Sequence, residues 1–423
     1  MVFHSKKKLR FIIPVLIFCV TLLSCKAKQV AVVQEKPKPE TTKPEPQQQK
    51  KDTTALKTPV KGGPYNFLLM LPADLEESFV RDSLSPDSAV VKENFNKDLL
   101  DAVNFYEGAL LAVDSLRKAG NDIKLKVVDL SGNEERQTTK LWIQKYDNVQ
   151  VVFSMLKGKP LKTLSGILAV RKIPLISCAP NTYSFVEKNQ TAVCVQPSSL
   201  TQCNLMGAYA RDHFKSDNLI IVSGNSDKEK ERSAAFLSAF QDTALRARIK
   251  KANFSVDSAA GVTKALSVTY TNTIFIPSTD EDFVTTIYSL LETYAGMYRF
   301  RIIGLPVWQL FESIDPRLLE KYNTTLFASE YYSYDENDVL QFRKKFRHLF
   351  STEPGDEAYL AYDSFLQFGN LFIHKQLPFG APEINLKGLR SKYYFNYVDS
   401  IAAENRYINI LKIENFRYVK MSL

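Results

Sequence analysis

Cysteine and histidine are the side chains of this sequence best suited to nucleophilic, acid–base or metal chemistry, and their spacing matches no familiar site. The three histidines beyond the N-terminal segment lie far apart, and neither a His-Glu-x-x-His nor a Gly-x-Ser-x-Gly motif is present. Cys178, Cys194 and Cys203 lack a Cys-x-x-Cys spacing, and their odd number allows at most one internal disulfide. The sequence therefore predicts a protein that is not an enzyme and has no metal or cofactor.

Another cysteine, Cys25, ends an N-terminal segment built like a secretory signal. A basic start is followed by an apolar run over residues 11–23, which is too short to span a bilayer comfortably. The phrase Leu22-Leu23-Ser24-Cys25 resembles the lipobox of bacterial lipoproteins. This resemblance implies removal of residues 1–24 and acyl chains on Cys25, which would hold the protein at a membrane. The alternative is an ordinary signal peptide with a chance cysteine.

Residues 25–63 are predicted to form a disordered stalk behind this anchor. They are rich in Lys, Pro, Glu, Gln and Thr and have almost no large apolar side chain. Such a segment buries too little surface to offset its ordering entropy, and its prolines favour an extended spacer. Lys26 follows the cysteine, and in bacteria with two membranes and the common sorting rule this residue implies transfer to the outer membrane. The predicted location is the cell envelope, lipid-anchored and facing the periplasm.

The net charge of +9 belongs to the leader and the stalk. The leader carries four basic residues and residues 26–64 add five net positive charges, which leaves the rest of the chain neutral. Nucleic-acid binding depends on many basic side chains that neutralise phosphates, so nucleic acid is not an expected partner.

The body of the chain alternates short apolar runs with segments of helical periodicity. This alternation predicts an α/β fold with parallel sheets and helices on both faces, and two successive rounds of it in about 360 residues predict two lobes. Strands are predicted at residues 65–71, 124–130, 149–153, 174–177, 218–222, 273–277 and 300–304. Helices are predicted at residues 99–116, 134–145, 161–170, 200–214, 229–240 and 282–294.

Several phrases, taken in order, carry a resemblance to a known family. They are residues 69–72, 105–112, 123–129, 173–177, 195–198, 304–308 and 342–363. In this order they resemble the type I periplasmic binding proteins, which include branched-chain amino acid receptors of ABC importers, and look most like the lipoprotein branch common in Bacteroidota. The resemblance implies two Rossmann-like lobes joined by a multi-strand hinge. Lobe 1 is expected to contain residues 64–190 and 305–395, and lobe 2 residues 191–304 and 396–423, with the tail adding a last strand pair to lobe 2.

The fold places a ligand in the crevice beyond the carboxyl ends of the strands, between the lobes. Candidate contacts are therefore the loop residues after the strands, with capping of the following helix or core packing as the alternative role. In lobe 1 they are Asp74, Ser154, Met155, Ala179, Asn181 and Thr182. In lobe 2 they are Asn225, Ser226, Ser278 and Thr279, with Trp308 and Tyr331 as possible aromatic walls.

These loops differ from those of amino acid receptors in this family. Such receptors place a small hydroxyl-bearing loop after the third strand, whereas this chain has bulky Met155 and Leu156 there, and Pro180 removes an amide donor from the next loop. The α-amino acid clamp is therefore not expected. The sequence favours a non-catalytic, membrane-anchored binding lipoprotein whose partner is a small molecule or an envelope protein. The alternatives are a solute receptor of an ABC importer and a protein resembling activators of peptidoglycan synthases.

Overall fold

The computed structural model describes residues 62–72, 97–130, 148–377, 383–396 and 401–421. Within these ranges the chain forms two large sheets built mostly of parallel strands, each with its own apolar core, and a separate antiparallel pair of strands at Glu383–Lys387 and Lys392–Asn396. The predicted two-lobed α/β class is therefore confirmed. The leader, Cys25, the stalk, Asp74 and the predicted helix over residues 134–145 lie outside the described residues. No helix in the described ranges is long and apolar enough to cross a bilayer.

The strands and helices predicted within the described residues are all present, and further elements lie between and after them. The strands, in chain order, are β1 (Gly62–Leu71), β2 (Asn121–Asp129), β3 (Val151–Ser154), β4 (Leu175–Ser177), β5 (Ala192–Cys194), β6 (Asn218–Ser223), β7 (Lys250–Asn253), β8 (Asn272–Phe275), β9 (Phe300–Gly304), β10 (Thr325–Ala328), β11 (Glu383–Lys387), β12 (Lys392–Asn396), β13 (Ala403–Glu404), β14 (Asn409–Glu414) and β15 (Arg417–Lys420). The helices, in chain order, are α1 (Lys97–Lys118), α2 (Gly158–Arg171), α3 (Tyr183–Val186), α4 (Ser199–His213), α5 (Asp227–Ser238), α6 (Thr243–Ala247), α7 (Phe254–Ala265), α8 (Glu281–Glu292), α9 (Pro316–Lys321), α10 (Asn337–Phe350) and α11 (Asp356–Ile373). A 3₁₀ helix covers Pro306–Leu310.

Lobe 1 is built on a six-stranded parallel sheet in the order β13-β5-β4-β3-β1-β2. The end of β1 is buried on both faces, as its continuous apolar run requires in a parallel sheet. Helix α11 packs on this sheet, and the ring of Phe365 stacks on that of Phe153 with centroids 3.8 Å apart. Helices α1 and α11 also pack closely against each other, because Gly108 lets the backbone of Ala358 approach.

Lobe 2 is built on a seven-stranded sheet in the order β15-β14-β10-β9-β8-β6-β7. The strands from β10 to β7 are parallel, while β14 and β15 form an antiparallel pair that joins β10 at the edge. The predicted final strand pair of lobe 2 is therefore present.

The chain passes between the lobes three times, and each passage falls later than predicted. Val193 in β5 pairs with Ile176, so residues 192–194 belong to lobe 1 although lobe 2 was expected from residue 191. Strand β10 pairs with β9 and β14, so lobe 2 continues to Ala328, beyond the predicted return at residue 305. Strand β13 pairs with β5, so the last passage follows Glu404. These junction strands are only two to four residues long, and so short a run gives a weak periodic signal.

Candidate functional site

The carboxyl ends of the strands in both sheets bring loops of the two lobes together. Asn181, in the loop after β4, accepts a hydrogen bond at Oδ1 from the backbone N–H of Ser199, the first residue of α4, at 2.8 Å. Ser198 caps this helix by accepting from the N–H of Thr201 at 3.3 Å. Glu404 in β13 accepts from the Ser198 N–H and the Thr201 hydroxyl, both at 2.6 Å. Polar bonds therefore fix the first passage between the lobes.

Beside this passage lies a cavity of about 480 Å³ that we call the polar groove. Lobe 1 contributes Asn181 and Ser184, and lobe 2 contributes Lys228 and Arg232 from the start of α5. These two cations are four residues apart, so they lie on one face of the helix. The Arg232 guanidinium also donates from Nη1 to the carbonyl of Pro277 at 3.0 Å. The complete lining is Asn181, Tyr183, Ser184, Ser198, Ser199, Leu200, Lys228, Glu231 and Arg232.

The hydroxyl groups predicted to contact a ligand in lobe 1 already have partners in the fold. Ser154 is buried and accepts at Oγ from the N–H of Leu156 at 3.1 Å. Thr182 is buried, accepts from the hydroxyl of Ser177 at 2.8 Å and donates to the carbonyl of Ala179 at 3.1 Å. Met155 is buried as well. Of the described lobe 1 candidates, Asn181 is the one whose side chain is exposed.

The lobe 2 candidates divide in a similar way. Asn225, Ser226 and Thr279 are exposed, and Ser226 forms a capping box with Glu229 at the start of α5, as the capping alternative expects. Ser278 is buried and accepts at Oγ from the Asp280 N–H at 3.2 Å. Ser226 and Ser278 therefore have structural roles, in helix capping and in the conformation of the loop after β8.

Trp308 lies in the core of lobe 2. It is 1% exposed, and its indole N–H donates to the carbonyl of Ser278 at 2.9 Å. The predicted aromatic wall at this position is replaced by core packing, since the indole has both its apolar contacts and its polar partner inside the lobe.

A second cavity of about 490 Å³, the aromatic pocket, lies between the 3₁₀ helix after β9 and the segment after β10. Tyr331, which was predicted as an aromatic wall, lines this pocket together with Tyr332. Tyr332 donates its hydroxyl to the Asp356 carboxylate at the start of α11, which holds the segment after β10 against lobe 1. The complete lining is Pro306, Val307, Gln309, Leu310, Glu330, Tyr331, Tyr332, Tyr334 and Asp356.

Behind the aromatic pocket an arginine of lobe 1 is buried against the end of lobe 2. Arg390 is 5% exposed, and its Nη2 lies 3.1 Å from Oε2 of Glu330, the second residue after β10. Its carbonyl accepts from the Tyr331 N–H at 2.9 Å. Burial alone would lower the pKa of this guanidinium, but Glu330 and Glu357 outweigh burial and raise it. The arginine is therefore charged, and it links the turn between β11 and β12 to the segment that follows β10.

Asp363 fixes the turn that carries Arg390. Its carboxylate accepts from the backbone N–H groups of Leu389 at 2.7 Å and Arg390 at 2.9 Å, and from the Tyr393 hydroxyl at 3.1 Å. Burial raises the pKa of this carboxyl to about 6 despite these donors. The turn between β11 and β12 is thereby held against α11.

Sequence reasoning did not single out Lys228, Arg232, Glu330, Asp356 or Arg390. Lys228 and Arg232 could have been found from the sequence. They are an i, i+4 pair of cations just after a strand-to-helix loop, and such a pair faces the crevice in this class of fold. The pairing of Arg390 with Glu330 joins residues 60 positions apart and leaves no local pattern.

The three body cysteines are free and buried. Burial raises the pKa of the Cys178 and Cys203 thiols to about 12 and raises that of Cys194 as well, so they are poor nucleophiles at neutral pH. Among the described residues no group of three or more His, Cys, Asp or Glu side chains is arranged to hold a metal ion.

Comparison with known proteins finds solved structures that are similar to this chain. No protein-family model matches the chain. No curated protein matches it either. A branched-chain amino acid ABC transporter protein from Rhodospirillum rubrum has a TM-score of 0.60 at 11% identity, covering 84% of this chain and 99% of that one. A periplasmic ligand-binding protein of a branched-chain amino acid ABC transporter from Burkholderia xenovorans has a TM-score of 0.54 at 11% identity, covering 85% and 94%.

A third match is an ABC transporter substrate-binding protein from Desulfitobacterium hafniense in complex with Leu. It has a TM-score of 0.52 at 13% identity and covers 84% of this chain and 99% of the other. At such identities the likeness concerns the fold, which the order of strands and the three passages between lobes also define. This chain therefore has the fold of the type I periplasmic binding proteins.

Proposed function

We propose that this chain is a non-catalytic binding protein that holds a small molecule between its two lobes. The observation that carries the proposal is the polar groove, because its walls come from both lobes and closure of the lobes would change its shape. Its volume is within the range of small-molecule sites in proteins. A solute receptor of an ABC importer is the role that best combines this groove with the fold.

The ligand chemistry follows from the side chains that remain available. Lys228 and Arg232 supply positive charge, while Asn181 and the start of α4 supply polar contacts. The hydroxyls of Ser154 and Thr182 are occupied within lobe 1, so a carboxylate held by small hydroxyl groups is not supported. We propose an amino acid or related small molecule that carries an acidic group, with Lys228 and Arg232 binding that group.

A ligand panel tests this proposal by thermal unfolding of the full-length protein. Amino acids, dicarboxylates, sugars, nucleosides and cell-wall fragments form the panel. A bound acidic ligand at a hundred times its dissociation constant is expected to add about 2.7 kcal/mol to the free energy of unfolding. Lys228→Gln is expected to weaken its binding about tenfold, because the variant removes one charge from the groove.

Lys230→Gln is the matched control for the ligand experiment. Lys230 is on the same helix and pairs with Asp227 at 2.9 Å, but it does not line the groove. Equal loss of affinity in both variants would contradict the assigned site. A panel without any shift, measured on well-folded protein, would contradict solute binding and favour an envelope protein as partner.

The envelope-partner role remains the second candidate, and the N-terminal sequence favours it. We propose that Cys25 is acylated and that the stalk tethers the lobes to the outer membrane. An outer-membrane tether would keep a receptor from reaching a permease in the inner membrane. Cys25→Ala is expected to move the protein from the membrane fraction of the cells to the soluble fraction, as measured by fractionation and immunoblotting. Retention of the variant in the membrane fraction would argue against the lipid anchor.

A further inference from the structure

Lobe 2 has a basic cavity at the end of its sheet opposite to the inter-lobe loops. The cavity, which we call the basal pocket, has a volume of about 290 Å³. Asn218 and Lys250, the first residues of β6 and β7, line it. The polar groove lies at the carboxyl ends of these strands. Because β6 has six residues, the two sites are separated by about 20 Å.

Four cations surround the basal pocket: Arg211, Lys215, Arg248 and Lys250. The Arg211 charge is compensated by Asp212, whose carboxylate accepts two hydrogen bonds of 2.8 Å from the Arg211 guanidinium. Lys250 donates to the carbonyl of Ala265 at 2.7 Å, a neutral partner that leaves its charge uncompensated. Within the described part of the chain, Lys215 and Arg248 have no side-chain hydrogen bond and no ion pair within 4 Å, and Asp212 is near enough to Lys215 to interact with it electrostatically.

The one acidic residue of the lining does not compensate these charges. The Asp217 carboxylate is bonded to Arg301 and to the hydroxyl of Thr273, both outside the pocket. Lys215, Arg248 and Lys250 therefore give the pocket a local positive charge in a part of the chain that is neutral overall. Converging cations around a concave site favour an anion.

The floor and one wall of the basal pocket are apolar. Phe240 and Ile249 are buried, Leu245 is half-buried, and Tyr270 is 56% exposed at the rim. An inorganic anion would leave this apolar surface uncovered. A small anion with an apolar or aromatic group would cover it, and the volume is at the lower end of the range for ligand sites.

We propose that the basal pocket is a second binding site, distinct from the inter-lobe cleft, for a small organic anion. Its carboxylate or phosphate binds Arg248, Lys215 and Lys250, and its apolar or aromatic group packs on Tyr270 and Phe240. The same chemistry is offered by a soluble metabolite and by the headgroup region of an anionic lipid.

Isothermal titration calorimetry of the full-length protein with phenyl phosphate and with benzoate tests the proposal. We expect both probes to bind more tightly than inorganic phosphate, and more weakly as salt is added. Arg248→Glu is expected to weaken binding about tenfold. Arg246→Glu, an exposed residue of α6 outside the lining, is the matched control and is expected to stay within about twofold of wild type.

Two further variants locate the bound probe. Tyr270→Ser is expected to weaken phenyl phosphate and benzoate but not inorganic phosphate, and it alters an exposed side chain that does not support the core. Lys228→Gln, which alters the polar groove, is expected to leave both affinities unchanged. Loss of binding in Lys228→Gln with no change in Arg248→Glu would overturn the proposal, as would the absence of binding by both probes.

Vesicle flotation distinguishes the two sources of the anion. Binding to phosphatidylglycerol vesicles but not to phosphatidylcholine vesicles, lost in Arg248→Glu and kept in Arg246→Glu, would identify a lipid headgroup. Tight binding of the free probes without flotation would identify a soluble anion. Flotation that is equal in the two variants would show that the pocket is not the lipid site.

Discussion

Arg390→Met is expected to lower the free energy of unfolding by about 1–3 kcal/mol, the usual loss when a buried hydrogen-bonding partner is removed. The larger loss of a fully buried ion pair is not expected, because the Glu330 side chain is 37% exposed and water can solvate its carboxylate. The side chain is buried between the lobes and neutralises Glu330 at 3.1 Å, with Glu357 nearby. Methionine fills much of the volume but leaves the carboxylate of Glu330 without its cation. Urea denaturation of wild type and variant measures the difference.

Two further variants separate the buried charge from a general effect of losing an arginine. Arg317→Met removes a surface partner of Asp315, where the ions are 2.6 Å apart but exposed, and little change is expected. The double variant Arg390→Met/Glu330→Gln is expected to recover part of the loss, because it leaves no unpaired charge at this position. Equal small losses for Arg390→Met and Arg317→Met would show that the ion pair between Arg390 and Glu330 contributes little to stability.

Gly108→Ala is expected to destabilise the protein by about 3 kcal/mol, the upper end of the usual loss on overpacking. A β-carbon at Gly108 would lie 2.1 Å from the carbonyl oxygen of Ala358, a backbone atom of α11 that cannot move without its helix. The α1–α11 contact belongs to the core of lobe 1, so the loss is expected in the unfolding transition of the whole lobe.

Gly166→Ala makes the same chemical change, but we expect it to raise the free energy of unfolding. Gly166 is exposed in α2, and a β-carbon added there would have no neighbouring atom within 4 Å. Alanine at this position is expected to add about 1 kcal/mol, since glycine is the weaker helix former. Thermal or urea unfolding of the two variants gives the comparison, and a stabilising Gly108→Ala would refute the close helix contact.

The fold was predictable because the central strands of both large sheets are largely apolar runs. Residues 67–71 and most of 300–304 are buried on both faces of their sheets. Such apolar runs are readily recognised as buried strands when they alternate with helical segments. Strand β7 was missed because its sequence, Lys250-Lys251-Ala252-Asn253, is polar, which suits the edge position it occupies in the sheet.

The site was less predictable than the fold. The sequence placed polar residues correctly in the loops after strands, yet it does not show whether a hydroxyl faces the cleft or its own backbone. Ser154 and Thr182 bond within their loops, whereas Asn181 faces the other lobe. Trp308 likewise has its polar partner, the Ser278 carbonyl, 30 residues away in lobe 2. Such choices depend on tertiary contacts that local sequence does not encode.

The three passages between the lobes also set the order in which the protein can fold. Asn104 of α1 accepts from the N–H of Gly355, 251 residues later, and Asn405 donates to the Val195 carbonyl, 210 residues earlier. Strands β14 and β15, which complete lobe 2, come from the last residues described. Neither sheet is complete until residues 403–420 have been synthesised, and such distant pairings form slowly. Both lobes are therefore expected to fold late, as units completed by segments that lie far apart in the sequence.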